Sequence, residues 1–396
     1  MTASPLRDLL VVDLSRLLPG PLTARLLADL GARVLKVEEP RLGDPVRLAP
    51  PLVDGQSSLA SLLLAGVESV ALDLKKEAAR EVLEAILEHA DVLLDNLRPG
   101  TLARLGLSPE LLRERHPRLI HCSLTGWGQG GPWATRSGHD LTYLAVAGGL
   151  ASVPSLPALP GADLAGAWSA LAAILAALHE RRRTGRGMHI DASLFDAALH
   201  GNLLAWSEEA GGAKAVGDPL MLTGALPCYG VYRSRDDVPL ALAALEPHFW
   251  ERFCEAAERD DLRPLHLDRR PEARQQVADA LAQRTAAEWI ELAAAQDLPL
   301  EAILSPEAAL EHPQAQHRGV VERRSDGSTR IAFPARLDGF RPRGGDRVPR
   351  LGEDTRAILD ELGIEMSVLQ RRSAGIGRRF SLRRLLMRWA VRRKGG

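Results

Sequence analysis

Leu9-Leu10-Val11-Val12-Asp13-Leu14, a break at Pro19-Gly20-Pro21, residues 22–30 closed by Gly31, then Arg33-Val34-Leu35-Lys36-Val37-Glu38: this stretch decides the fold. The first run is short and continuously apolar, the mark of a buried strand. Pro and Gly end it, apolar residues then recur at helical spacing, and a glycine stops the helix. Strand, turn, helix, glycine and strand make a βαβ unit, and βαβ units build parallel sheets. The alternation goes on, with strands expected at 69–74, 91–94 and 119–123 and helices at 77–89 and 108–116. The expected fold class is α/β, a Rossmann-like open parallel sheet that holds ligands beyond the carboxyl ends of its strands.

Further along, 164–179 is a long Ala/Leu helix ended by Arg181-Arg182-Arg183-Thr184-Gly185. His189-Ile190-Asp191-Ala192-Ser193 reads as one more strand, followed by a helix through Trp206. A Gly-, Ala- and charge-rich segment at 208–223 reads as a linker. The predicted organisation is a large domain at 1–207, that linker, a smaller α+β domain at 224–306, a return linker at 307–330 and a part at 331–365 that packs back on the large domain. In the small domain, strands are expected near 228–233 and 239–244, and helices begin at Pro247, Pro271 and Thr285. A basic tail, 366–396, follows.

At 396 residues the chain can bury a sizeable core and form two or three domains. Charged residues are 26% with a net charge of −1, so no nucleic-acid partner is expected. Residues 1–5 carry no basic region leading into an apolar segment, and runs such as 171–178 are too short to span a bilayer. Cys122, Cys228 and Cys254 are far apart and lack metal-ligand spacing, so no metal is expected. They read as buried small hydrophobes in a reduced, cytoplasmic setting. From 371 onward the chain is rich in Arg and Lys, has no acid, and interleaves Phe380, Leu382, Leu385, Leu386, Trp389 and Val391. Such a segment predicts weak contact with an anionic membrane surface, against the alternative of a solvated tail.

Two short motifs carry candidate chemistry: Ser137-Gly138-His139-Asp140, and Gly161-Ala162-Asp163-Leu164-Ala165-Gly166. An imidazole and a carboxylate around one carbon suit removal of a proton from one face and its return on the other. Taken alone, His139 reads as a core or surface histidine, and Asp163 as a cap before the 164–179 helix. Glu246 in Leu245-Glu246-Pro247 reads alone as a first-turn glutamate at a helix start.

The ordered set of fragments resembles the family III CoA-transferases, and within them the α-methylacyl-CoA racemases. It comprises Leu27-Ala28-Asp29-Leu30-Gly31-Ala32, Lys36-Val37-Glu38, Gly43-Asp44-Pro45, Asp73-Leu74-Lys75, Arg98-Pro99-Gly100, Gly126-Trp127-Gly128-Gln129 and Gly138-His139-Asp140. It continues with Arg183-Thr184-Gly185-Arg186-Gly187, Asp191-Ala192-Ser193, Leu245-Glu246-Pro247, His312-Pro313-Gln314 and Leu351-Gly352. The likeness covers about 6–363, and the tail departs from it.

The resemblance implies two open-ring subunits interlocked as a homodimer, acting on an acyl-CoA substrate. No permanently bound cofactor is implied; coenzyme A enters as part of the thioester. His139 and Asp163 would flank the α-carbon, with Glu246 orienting the histidine. Asp140 would be a supporting or capping group. Cations for the phosphates of CoA would come from Arg41, Arg47, Lys75, Arg98 and Arg104, arginine being suited to bidentate contact. The small residues Gly161, Ala162, Ala165 and Gly166 would leave room for the thioester. Trp133, Trp168, Trp250 and Leu222 are candidates for an apolar acyl pocket or for core packing. The histidine favours racemisation of a 2-methyl-branched acyl-CoA. CoA transfer through an aspartyl thioester at Asp163 is the alternative, and a non-catalytic acyl-CoA-binding relative the second.

Overall fold

The first two apolar runs pair in parallel, Leu10 opposite Arg33 and Asp13 opposite Lys36, as β1 (Leu10–Asp13) and β2 (Arg33–Glu38). The crossover is α1 (Pro19–Asp29), with proline in its first turn, where a missing N–H leaves no intrahelical bond unmade. The computed structural model describes residues 4–152, 157–212, 219–324, 328–342 and 345–370. The basic segment 371–396, and with it the expected membrane contact, lies outside the described residues.

Four more strands follow: β3 (Glu68–Ala71), β4 (Val92–Asp95), β5 (Ile120–Thr125) and β6 (His189–Ser193). They complete a six-stranded sheet in the order β3-β2-β1-β4-β5-β6, and every pairing in it is parallel. The order reverses between β1 and β4, so the loops leaving those strands border the crevice where doubly wound sheets hold ligands.

Side chains alternate across each strand. Leu10, Val12 and Leu14 share a core with Val82, Leu83, Ile86 and Leu87 of α2 (Glu77–Leu87) and with Ile358 and Leu359 of the helix Thr355–Glu361. The sites of interest involve α3 (Asp140–Val146), α4 (Gly161–Thr184) and α5 (Leu194–Gly201). α4 packs on α1, α5 and β5, and Thr23 Oγ1 donates to the Ala167 carbonyl at 3.1 Å. By length and composition α4 is able to cross a membrane. Here Ala167, Ala170, Leu171, Ile174 and Leu178 form a buried face.

Charge is buried where the sheet meets its loops. Lys36 Nζ lies 3.0 Å from Asp13 Oδ2 and 3.0 Å from Asp44 Oδ2. Burial alone would lower its pKa, but the two carboxylates outweigh that and raise it. The C-terminal segment is tied in the same way: Arg330 Nη2 reaches Asp29 Oδ1 at 2.8 Å, and Arg33 holds Glu361 through two 2.9 Å bonds.

The chain divides into two units, one of Met1–Val146, Leu159–Gly201 and Gly319–Gly396, the other of Ala147–Ala158 and Asn202–Arg318. The second has an antiparallel sheet of β7 (Tyr229–Arg233), β8 (Pro239–Ala243) and β9 (Leu300–Ala302), in the order β9-β8-β7. Its helices are α6 (Pro247–Ala257), α7 (Pro271–Leu281) and α8 (Ala286–Gln296). Trp250 and Phe253 pack there with Val277, Leu281 and Trp289. Trp250 is 2% exposed and donates its indole N–H to the Arg263 carbonyl at 3.1 Å, which makes it a core residue rather than an acyl-pocket wall. Two segments expected as linkers carry helix: Leu203–Ala210 runs past 207, and Pro306–Glu311 and Pro313–Arg318 fill the start of 307–330. In both short helices proline starts the first turn, a signal that a composition-based reading of linkers passes over.

Candidate active site

His139 and Asp163 stand at the starts of two helices that pack together, α3 and α4. The His139 carbonyl accepts the amides of Thr142 and Tyr143 at 2.8 and 3.2 Å, and Thr142 Oγ1 accepts the His139 amide at 2.9 Å. These bonds fix the backbone and leave the imidazole exposed, with no hydrogen-bond partner among the described residues. α4 begins at Gly161, earlier than the expected 164, because the Pro160 carbonyl accepts the Leu164 amide at 3.0 Å. Asp163 is therefore inside the first turn and is not the cap. The cap comes from the neighbouring helix: Asp140 Oδ1 accepts the Asp163 amide at 2.9 Å. The amides of Gly161 and Ala162, also in that first turn, have no acceptor among the described residues.

The same arrangement sets the charge on Asp163. Burial first, and the Asp140 carboxylate second, push the Asp163 carboxyl up to about 6, while His139 pulls the other way. A carboxyl so placed exchanges protons near neutral pH. Tyr143, one turn on from His139, completes the cluster. Its phenol is raised by burial and then by Asp163, and its ring packs edge-on to Trp127 with centroids 4.9 Å apart. A Cβ on Gly126 would fall 2.2 Å from Tyr143 Oη, and one on Gly138 2.5 Å from Cε1. Two glycines thus admit the ring that wedges the His139 loop. The sequence pattern alone did not single out Tyr143; the signal was its place one helical turn beyond His139, in a stretch with paired glycines.

Glu246 lies in the second unit, at the N-cap of α6, exposed, with its carboxylate free of any capping bond. Its carbonyl accepts the Phe249 and Trp250 amides at 3.0 and 3.1 Å. Arg98, just after β4, reaches Ser137 Oγ at 2.9 Å and so joins the crevice to the His139 loop. The loops after β1 and β4 clasp each other: the Arg16 amide donates to Asn96 Oδ1 at 2.9 Å, and Asn96 Nδ2 to the Arg16 carbonyl at 2.7 Å. Arg16 is an exposed cation at the crevice that sequence reasoning missed, although it stands three residues beyond the end of the first strand. Arg41 and Lys75 are exposed, and neither side-chain charge has a partner among the described residues.

Two other cations are placed differently. Arg47 Nε and Nη2 both bond Glu38 at 2.7 Å, and Nη1 bonds the Pro349 carbonyl at 2.8 Å. Its fork is saturated by a buried carboxylate and a backbone carbonyl, so it is a structural tie rather than an open cation. Arg104 bonds Thr101 Oγ1 at 3.1 Å and lines a groove beside α2, none of whose other lining residues belongs to the loops bearing His139 and Asp163. Gly166 also has another task. A Cβ there would come within 2.3 Å of Leu194 Cδ2, so the glycine lets α4 and α5 approach and does not serve as substrate room.

Other reactive residue types are disposed of by burial. All three cysteines are buried, which pushes the Cys228 and Cys254 thiols up to about 11 and leaves no thiolate at neutral pH. Ser123, His121 and Asp95 look like a triad in type, with Ser123 Oγ 3.0 Å and His121 Nε2 2.8 Å from Asp95 Oδ2. Each is at most 3% exposed, so the cluster ties β4 to β5 and meets no substrate.

The family profile described as CoA-transferase family III matches residues 6–355. The chain belongs to that family. As a family III enzyme it is 34% identical over 371 residues to the α-methylacyl-CoA racemase of Homo sapiens, with 90% of this chain and 93% of that protein covered. It is 31% identical to the acetyl-CoA:oxalate CoA-transferase of Acetobacter aceti, covering 90% and 95%. Its structure is similar to that of a CAIB/BAIF family protein from Brucella suis, with a TM-score of 0.79, 28% identity, and 91% and 100% of the two chains covered. Racemases and CoA-transferases are both among the relatives of this family III enzyme, at near-equal identity.

Proposed function

We propose that this family III enzyme racemises 2-methyl-branched acyl-CoA thioesters by a two-base proton transfer. The observation that carries the reading is the pair at the helix starts: an exposed imidazole at His139, and an Asp163 carboxyl raised to about 6 that feels it. One group takes the α-proton from C2, the C–H pair becoming the C1=C2 bond while the carbonyl π pair moves onto the thioester oxygen. The other returns a proton to the opposite face, and the enolate collapses to the inverted thioester. For the mirror substrate the roles exchange. The free amides of Gly161 and Ala162, at the positive end of α4, would bond the enolate oxygen. Arg98, with Lys75 and Arg41, would meet the phosphates of CoA, and Arg16 adds a cation on the loop after β1, which is clasped to the loop bearing Arg98. The proposal includes a homodimer, supported by apolar side chains left exposed on α4, Trp168 at 39% and Leu175 at 36%.

CoA transfer is the second reading, favoured by the similarity to a CoA-transferase. There Asp163 would attack the thioester carbonyl, forming an acyl anhydride and expelling CoA thiolate, before an aspartyl-CoA thioester forms. Incubation with (R)- and (S)-2-methylacyl-CoA in deuterated water separates the two. Racemisation puts deuterium on the α-carbon of both enantiomers, and His139→Gln and Asp163→Asn abolish it. Absence of exchange, with CoA moving to an added carboxylic acid, refutes the racemase.

A further inference from the structure

The groove beside α2 has no part in the chemistry above. It encloses about 720 Å3, and Val82, Leu105, Leu107, Leu362 and Ile364 give it an apolar floor. Its rim is the acidic stripe of α2: Glu77, Glu81, Glu84 and Glu88 all line it, spaced so that one helix face presents them. Of the arginines at the rim, Arg80 is held by the carbonyls of Leu74 and Lys75 at 3.1 and 3.0 Å, and Arg115 by Glu84 at 2.5 Å. Arg104 also lines the groove, Glu84 is paired with Arg115 and His116, and Glu77 and Glu88 are the carboxylates at the two ends of the stripe.

The described chain ends against that same helix. Helix Ser367–Gln370 packs on α2, with Val368 7% exposed in the shared core. The sequence that follows is the groove's complement. Read as a helix, Leu382, Leu385, Leu386 and Trp389 fall at i, i+3, i+4 and i+7 on one stripe. Arg379, Arg383, Arg384, Arg388 and Arg392 surround it, and no acid interrupts. Residues 371–377, fully extended, reach on the order of 20 Å, enough to return over a neighbouring groove.

We propose that the basic segment 378–393 docks as an amphipathic helix in the α2 groove of its own chain. Its leucines and Trp389 lie on the apolar floor, and its arginines face Glu77 and Glu88. A short tether gives an effective concentration in the millimolar range, so an affinity too weak for a free peptide still holds the tail down.

Hydrogen exchange of the full chain, read by mass spectrometry, tests this. Docking slows the amides of 380–391 at least about tenfold against the unstructured rate, in dilute protein without lipid, and about 0.5 M salt weakens the protection. Glu77→Lys with Glu88→Lys restores fast exchange. So does Leu382→Glu with Leu386→Glu, which leaves the folded body untouched. Fast exchange in the unaltered chain overturns the proposal, as does protection that survives both pairs. Protection that arises only with phosphatidylglycerol-containing vesicles makes the tail a membrane segment and also overturns it. Protection that grows with protein concentration assigns the groove to another copy's tail and overturns it as well.

Discussion

Replacing Asp163 by Asn is expected to stabilise the protein, and by more at about pH 7.5 than at about pH 4. The carboxyl is raised from 3.8 to about 6, by burial first and then by Asp140. A group whose folded pKa exceeds its unfolded value supports the fold below the unfolded value, and that support is lost as pH rises through the folded value. Between about pH 4 and pH 6 the unfolded chain ionises Asp163 while the folded protein resists. The full shift of roughly two units corresponds to about 3 kcal/mol. Asp163 is only partly buried, so screening reduces this to about 1–2 kcal/mol. Asn keeps the shape and never ionises. For a protein of 396 residues that difference raises the melting temperature by about 1–3 °C near neutrality and by little in acid. Thermal melts of both proteins across the pH range measure it. An Asn variant no more stable than the parent at about pH 7.5, or with the same advantage at every pH, refutes the electrostatic account of the site.

Three further outcomes are expected. Lys36→Met leaves Asp13 and Asp44 as buried carboxylates without their cation, costing about 3–5 kcal/mol; urea unfolding at neutral pH checks it. Gly126→Ala pushes a methyl group into Tyr143 Oη and shifts the His139 loop. We expect about 1–3 kcal/mol of destabilisation and a loss of α-proton exchange of up to about a hundredfold, read from unfolding curves and deuterium incorporation. Arg98→Ala removes a charge-assisted contact to phosphate worth about 1.5–3 kcal/mol, so KM for acyl-CoA rises about ten- to a hundredfold while kcat changes little. An unchanged KM would remove Arg98 from the CoA site.

The parallel α/β character and the positions of nearly all main elements are legible in the order of residues. Those signals are local: runs such as 9–14 and 33–38, glycine stops such as Gly31, and prolines at helix starts such as Pro247 and Pro271. That order also singled out His139 and Asp163, through short motifs and their resemblance to a family.

The tertiary structure alone decided the strand order and which charged groups are free to meet a substrate. Nothing local to Arg47 shows that Glu38 and the distant Pro349 carbonyl saturate its fork. Nor does the 161–166 motif disclose that Asp140, on another helix, caps α4 and helps raise Asp163. Gly166 looks like substrate room until Leu194 is seen against it, and Trp250 like a pocket wall until its indole N–H is found on a core carbonyl. The physical reason is the same each time. Periodicity reports which face of one element is apolar, whereas the ionisation and availability of a side chain depend on groups brought near it from tens or hundreds of residues away.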